Sequence, residues 1–458
     1  MKNKANHEKS RETRRAFFKT TGALAAGLCL TGQPSADAAR KARAAAAKKV
    51  EAGNETLALN GGPKAVTHPQ TNSHRWPLYG PEEEKAVVEL LRRPNYAPND
   101  QLEKEWKERF QVPYARAYCN GTSALMTIFF SLSQDLPPGS EILAPSYTAW
   151  ATVSPMWMFG LVPVFVDVNP RSLNFDLDDA KRRLTKNTKA VIPVHWFGLP
   201  CDMDQIGDWA KEKGLIVVED ACHAHGASLK GKYMGSWGRM AAFSFQTTKT
   251  LPAIEGGMGN YQQREDFERA TAFSDYSKPS SLPADSAYRK YQGSGFGPKL
   301  RMHPVAAVLA SCQLRALDRR NAQLAAQVRR LNDRILNLPG LYAQPCRKDI
   351  ERVYYCDNML FLDEKEAGMS REACVKALQA EGVKCSAFVY TLQHHLAFYT
   401  EEKWWHHKIT IPDLPGSEQA NRTTIALPLI TSELPELADQ YAQAFEKVWA
   451  HRKELGKA

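Results

Sequence analysis

The chain has 458 residues, 43% hydrophobic and 24% charged, an ordinary globular mixture that excludes a disordered or fibrous protein and requires one large or two packed domains. Its formal charge of +10 is concentrated at the start: residues 1–49 hold 12 Lys/Arg and 3 Asp/Glu, which leaves a single positive charge for residues 50–458. A nearly neutral globular part predicts no nucleic-acid partner.

Residues 1–38 read as an address. Thr13-Arg14-Arg15-Ala16-Phe17-Phe18-Lys19 precedes a weakly apolar run, Thr20 to Leu30, and then Ala36-Asp37-Ala38. That order is a twin-arginine export signal with an A-x-A cleavage pattern, and a flexible basic linker over 39–56 follows it. The apolar run of about 11 residues is short of the roughly 20 that a spanning helix needs. A periplasmic or other extracytoplasmic location without a stable membrane span is therefore expected. Twin-arginine export carries folded chains, often with a cofactor already loaded.

The globular part divides into a large domain at 57–300, a connecting helix at 301–338 and a smaller α+β domain at 339–458. Apolar strand runs recur at Glu141–Pro145, Val162–Val168, Ala190–His195, Leu215–Asp220 and Met240–Phe245, with an amphipathic helix at Asp202–Lys213 that presents Met203, Ile206, Trp209 and Ala210 on one face. Near-continuous apolar strands between helices predict an α/β fold with a mostly parallel sheet covered on both sides. Ligands then sit beyond the carboxyl ends of the strands. Further on, a long helix is predicted from Pro304 to Leu338, a strand at Asn358–Leu362, and helices at Ser370–Glu381 and Leu434–Arg452. The nine cysteines form no C-x-x-C pair and no zinc spacing with histidine, so no metal is expected. Mostly buried free thiols are expected instead, with Cys346 and Cys356 the pair to inspect.

Several residues carry possible chemistry. Asn120-Gly121-Thr122-Ser123 opens an apolar helix, which suits either a phosphate site or plain capping. Asp220 ends a parallel strand, where a carboxylate needs a cationic partner such as a protonated pyridine nitrogen, or else caps the next helix. Ser244 and Lys249 lie in Phe243-Ser-Phe-Gln-Thr-Thr-Lys249, ahead of Glu255-Gly256-Gly257. A lysine in a desolvated pocket loses proton affinity and forms Schiff bases, whereas a solvated one does not.

In order along the chain stand N-G-T-S-A-L (120–125), P-S-Y-T (145–148), P-V-F-V-D-V-N-P (163–170), V-H-W-F-G-L-P-C-D-M-D (194–204), E-D-A-C-H-A-H-G-A (219–227), F-S-F-Q-T-T-K (243–249), E-G-G (255–257) and R-M-H-P (301–304). With these, the stretch from Leu57 to about Val448 resembles the DegT/DnrJ/StrS family of pyridoxal-phosphate sugar aminotransferases, of fold type I. The resemblance implies that pyridoxal 5'-phosphate is the cofactor and that Lys249 is both the Schiff-base lysine and the group that moves the proton. It implies Asp220 at the pyridine nitrogen, His223 at the coenzyme ring or its phenolic oxygen, and Thr122, Ser123 and Ser244 at the phosphate. Lys299 falls near a family position that reaches the neighbouring subunit's coenzyme phosphate, which implies a homodimer with shared sites. The implied substrates are a small-molecule amino donor, glutamate or glutamine, and a keto sugar or related ketone as acceptor.

The chain also departs from the family. Ala149 stands where an aromatic residue usually covers the coenzyme ring. Either that stack is lost or taken over, as by His223, or Trp150 shifts into it; the preferred reading of Trp150 is a core residue of the following helix. Phe388-Val-Tyr390 and His394-His395 occupy the region of a family His-Tyr-Pro segment, and the two histidines read as surface residues without a catalytic role. Retention of Lys249 argues against the family's dehydratase branch. The competing expectations are transamination, another coenzyme-dependent reaction on a periplasmic compound, or an exported coenzyme-binding protein of this fold whose turnover is lost.

Overall fold

A computed structural model describes residues 55–405 and 407–456; the segment read from the sequence as an export signal, and all but the last two residues of the expected basic linker, lie outside them. Helices α1 (Pro81–Arg92) and α2 (Ala97–Phe110) come first, then β1 (Tyr114–Tyr118) and α3 (Gly121–Asp135). There follow β2 (Glu141–Pro145), β3 (Val162–Val166), α4 (Leu177–Arg183), β4 (Thr188–Val191), α5 (Met203–Lys213) and β5 (Ile216–Asp220). The short β6 (Ser228–Leu229) and β7 (Lys232–Tyr233) precede β8 (Met240–Ser244), β9 (Gly257–Tyr261) and α6 (Arg264–Ser274).

Seven of these strands form one sheet in the order β1-β9-β8-β5-β4-β2-β3. Neighbours from β3 through β8 pair in parallel, and only β9 runs against the rest. Two predicted strands end early for local reasons. Pro193 has no N–H to give, so β4 stops at Val191 and only an isolated bridge joins Val194 to Asp220. The run after Val166 ends where the Asp167 carboxylate turns to the N–H groups of Gly416 and Ser417, both at 2.7 Å. Pro163 is tolerated because β3 is the sheet edge.

Side chains alternate across the sheet as the strand period requires. Met240 and Ala242 enter an apolar layer with Ile128, Phe129 and Tyr261, whereas Phe243 faces a second layer with Trp106, Phe110 and Leu309. Burying each large apolar side chain contributes about 1.5–3 kcal/mol.

The long α7 (Pro304–Ile335) leads to β10 (Leu341–Ala343), β11 (Ile350–Glu351), β12 (Asp357–Leu362), α8 (Arg371–Ala380), β13 (Ser386–Ala387), α9 (Pro415–Thr423), β14 (Thr424–Pro428) and α10 (Pro435–Ala450). An antiparallel sheet orders β10-β12-β14-β13. Tyr147, Trp196 and Phe197, at the ends of the large sheet, share an apolar cluster with Met359, Phe361 and Ala426 of this second sheet. The aromatic side chains thus wall one side of the edge where the large sheet's strands terminate. All eight described cysteines are free thiols; Cys346 and Cys356 are both exposed and unpaired. Among the described residues, no helix is long and apolar enough to cross a membrane.

Candidate active site

Parallel strands deliver their carboxyl ends to one edge, and the segments leaving β1, β2, β4, β5 and β8 there enclose a cavity of about 470 Å³. Thr122, Ser123, Asp220, His223, Ser244 and Lys249 all line it. Lys299 does not: it lines a separate cavity of about 370 Å³ with Arg301 and His303, and Glu255 borders both.

The phosphate-type element is the start of α3. Asn120 is its N-cap, accepting the Ser123 N–H at 2.9 Å. The Ser123 hydroxyl also donates to Asn120 Oδ1 at 2.9 Å, which ties the cavity-lining Ser123 to the cap residue. Thr122 and the first-turn N–H groups, which have no intrahelical acceptor, can hold an anion. Gly121 and Gly257 permit the close approach: a Cβ on Gly121 would stand 2.8 Å from Ser244 Cβ, and one on Gly257 would stand 2.5 Å from the Asn120 backbone. The E-G-G motif therefore packs β9 against the helix start and Ser244.

Lys249 sits on a hairpin that continues β8. Phe245 N–H donates to Gly256 O at 2.7 Å, Thr247 N–H to Ile254 O at 2.9 Å, and Lys249 N–H closes a turn on Gln246 O at 2.8 Å. Trp76 Nε1 donates to Lys249 O at 3.2 Å from outside. The side chain is half-buried; burial lowers the ammonium pKa, against the opposing pull of Cys222 and Asp220. Its Nζ donates to the Tyr355 hydroxyl at 3.3 Å and lies 4.6 Å from the centre of that ring.

Asp220 is held from two sides. Its Oδ2 accepts from Thr152 Oγ1 at 2.6 Å and its Oδ1 from the Cys222 N–H at 3.1 Å. Glu219, one residue earlier and on the opposite sheet face, is wholly buried and accepts N–H bonds from Gly235, Trp237 and Gly238 at 2.7–2.8 Å, with His195 Nε2 at 3.1 Å. These bonds anchor the strand end that presents Asp220. His223 is buried, with its pKa driven well below the ordinary value by burial and then by Lys249. Its ring stacks on Tyr355, centroids 4.0 Å apart at 21°, and its Nδ1 has no partner among the described residues.

Sequence reasoning missed Tyr355 and Glu219, because Tyr355 reaches Lys249 only through tertiary folding. It also misplaced two residues. Trp150 is not core: it opens a short 3-10 turn at the cavity wall and is 56% exposed, because Ala151 and Thr152 turn inward instead. His394 is not a surface residue but 3% exposed, drawn in by Ser146.

Pyridoxal phosphate fits these residues. The cavity offers a helix N-terminus for a phosphate, a carboxylate for a ring nitrogen, an unpartnered buried imidazole nitrogen for a phenolic oxygen and a lysine of lowered proton affinity. On a mostly parallel α/β sheet, that set defines a pyridoxal-phosphate-dependent enzyme of fold type I. Solved structures of such enzymes superpose on the chain. An aminotransferase from Psychrobacter cryohalolentis matches with TM-score 0.72 and 26% identity, over 82% of this chain and 98% of that one. DesI, solved in the presence of its TDP-sugar product, matches with TM-score 0.70 and 25% identity, over 87% and 97%. Among curated proteins, the spore coat polysaccharide biosynthesis protein SpsC of Bacillus subtilis (strain 168) is 29% identical over 384 residues, 81% of this chain and 95% of that protein. GDP-perosamine synthase of Escherichia coli O157:H7 is 33% identical over 217 residues, 47% of this chain and 57% of that protein. The DegT/DnrJ/EryC1/StrS aminotransferase family model matches residues 79–445, and the chain belongs to that family. It is a pyridoxal-phosphate-dependent aminotransferase acting on small molecules.

Proposed function

We propose that the chain transfers an amino group from L-glutamate or L-glutamine to the carbonyl of a keto sugar, as a homodimer exported by its twin-arginine signal. The observation that carries the reading is Lys249, with lowered proton affinity, in one cavity with Asp220 and the start of α3. The relatives named for GDP-perosamine and spore coat polysaccharide synthesis support a sugar as acceptor.

Bound pyridoxal phosphate supplies an electron sink for the bonds at the substrate carbon next to the amino group. The chain's residues do the rest. Thr122, Ser123, Ser244 and the N–H groups of α3 would hold the phosphate, Asp220 would keep a proton on the ring nitrogen, and His223 would meet the phenolic oxygen. Lys249 Nζ, as a neutral amine, would take the proton from the donor Cα and hold it as an ammonium until it is returned to the substrate–coenzyme system. Trp150 offers an exposed aromatic surface at the mouth for the acceptor. Lys299, outside its own chain's cavity, is available to the coenzyme phosphate of a second copy.

The test uses holoenzyme in two half-reactions. L-glutamate or L-glutamine alone should remove the visible coenzyme band and release one keto acid per site, and a nucleotide-linked keto sugar should restore the band with formation of an amino sugar. A band that responds to neither donor sinks the reading. Ala149, which leaves one ring face without the family's aromatic, favours a second reading in which the exported protein holds coenzyme without turnover; that same unresponsive band is its signature.

A further inference from the structure

Beyond the coenzyme cavity, the turn after Leu392 brings a second chemistry together. Gln393 N–H donates to Ser146 O at 3.0 Å, and its side-chain amide donates to Thr148 O at 2.8 Å. His394 N–H donates to Ser146 Oγ at 3.1 Å, and the same Oγ meets His394 Nδ1 at 2.6 Å. The His394 ring is thereby fixed through Nδ1, and among the described residues its Nε2 has no hydrogen-bond partner. His395 follows, its ring centroid 4.0 Å from that of His394 and its Nε2 3.4 Å from Oε1 of Glu418 in the first turn of α9. One ligand atom from each of His394, His395 and Glu418 lies within 4.8 Å of the others.

We propose that His394, His395 and Glu418 bind one divalent transition-metal cation of the zinc type. With metal–ligand bonds of about 2.0–2.1 Å, tetrahedral ligand atoms stand roughly 3.3–3.4 Å apart. The His395–Glu418 pair already has that spacing, the exposed His395 and half-exposed Glu418 side chains have room to turn, and neither ligand atom is more than 4.8 Å from that of His394. Two imidazoles and one carboxylate select zinc, copper or nickel over magnesium or calcium, and they leave a fourth position for water. Ser146 supplies the hydrogen bond that orients a ligating histidine. The field is permissive: Asp167 and Asp413 act on His394 as negative charges, and the opposing Arg183 is paired to Asp179 at 2.5 Å.

The site abuts the catalytic wall. Gln393 holds Thr148 O, Thr148 Oγ1 meets Thr152 Oγ1 at 2.8 Å, and Thr152 Oγ1 donates to Asp220 at 2.6 Å. A cation that ties α9 to the 393–395 turn therefore clamps the segment that supports the coenzyme carboxylate.

The test titrates chelator-treated holoenzyme with Zn²⁺ by calorimetry and with Co²⁺ by visible absorbance. One equivalent per chain, with tetrahedral cobalt bands, is expected. His395→Gln and Glu418→Gln, both at partly exposed positions, should each weaken binding at least about tenfold and abolish the cobalt bands while leaving the coenzyme absorbance unchanged; Ser146→Ala should weaken it about 10–100-fold. No stoichiometric binding overturns the proposal. So does wild-type affinity in both His395→Gln and Glu418→Gln, because the cation would then be held elsewhere, for instance at thiols.

Discussion

Replacing Tyr355 by Phe removes one oxygen from the lysine environment and leaves the ring. The hydroxyl accepts from Lys249 Nζ at 3.3 Å and bonds Thr248 Oγ1 at 2.9 Å, while the ring supports His223 and underlies the ammonium. A well-formed hydrogen bond to a charged group contributes about 1.5–3 kcal/mol; at 3.3 Å and with a half-buried donor, about 1 kcal/mol is the appropriate figure. Because the bond stabilises the ammonium and not the amine, its loss lowers the Lys249 pKa further, by about 0.7 unit at 1.36 kcal/mol per unit. The neutral fraction below the midpoint then rises about fivefold. The assay labels coenzyme-stripped protein with limiting acylating reagent across a pH series and quantifies the Lys249 peptide by mass spectrometry. The midpoint should fall by about 0.5–1 unit in Tyr355→Phe. An unchanged or raised midpoint refutes the contact as a determinant of lysine basicity.

Other outcomes follow from the same geometry. Ala149→Phe restores an aromatic at the cavity wall and should tighten coenzyme binding by about 0.5–1.5 kcal/mol, or roughly two- to twelvefold, in equilibrium titration; no tightening means the wall does not face the ring. Gly257→Ala forces a Cβ to within 2.5 Å of the Asn120 backbone, and should cost about 1–3 kcal/mol of stability and weaken coenzyme binding by displacing the start of α3. Unchanged melting and affinity would show that the helix start is not braced by β9. His225 is held at about 3 and His394 at about 4, both chiefly by burial, and His223 is also depressed. The unfolded chain binds more protons than the folded one between about pH 6.5 and these values, so stability falls as pH drops through that window, by about 1–2 kcal/mol per histidine at pH 5. Equal urea midpoints at pH 7 and pH 5 would mean the rings are solvated.

Much of the fold was legible because its signals are local. The apolar strand runs at 141–145 and 216–220 end where predicted, since a buried parallel strand must be continuously apolar, and the helices near 203–213 and 371–380 follow from the 3.6-residue period. β1 and β9 left no such trace: Tyr114-Ala-Arg-Ala-Tyr118 carries an arginine, and Gly257-Met-Gly-Asn-Tyr261 is glycine-rich because it must pass close to α3. Both become strands through antiparallel pairing with each other and β8.

By itself the sequence determined the family and singled out Lys249, Asp220 and Ser244, which the fold brings to one cavity, because each lies in a short local motif next to a strand end that can be read without the fold. Only the tertiary structure decided which partners surround them. Tyr355 meets Lys249 from 106 residues away, Glu219 is satisfied by N–H groups of a distant turn, and Trp150 faces solvent instead of the core. The same holds for His394, His395 and Glu418: no spacing along the chain marks them, since the turn bonded to Ser146 and the start of α9 bring the three together only after folding. A contact between residues far apart in sequence depends on how layers pack, and packing leaves no periodic record in either segment alone.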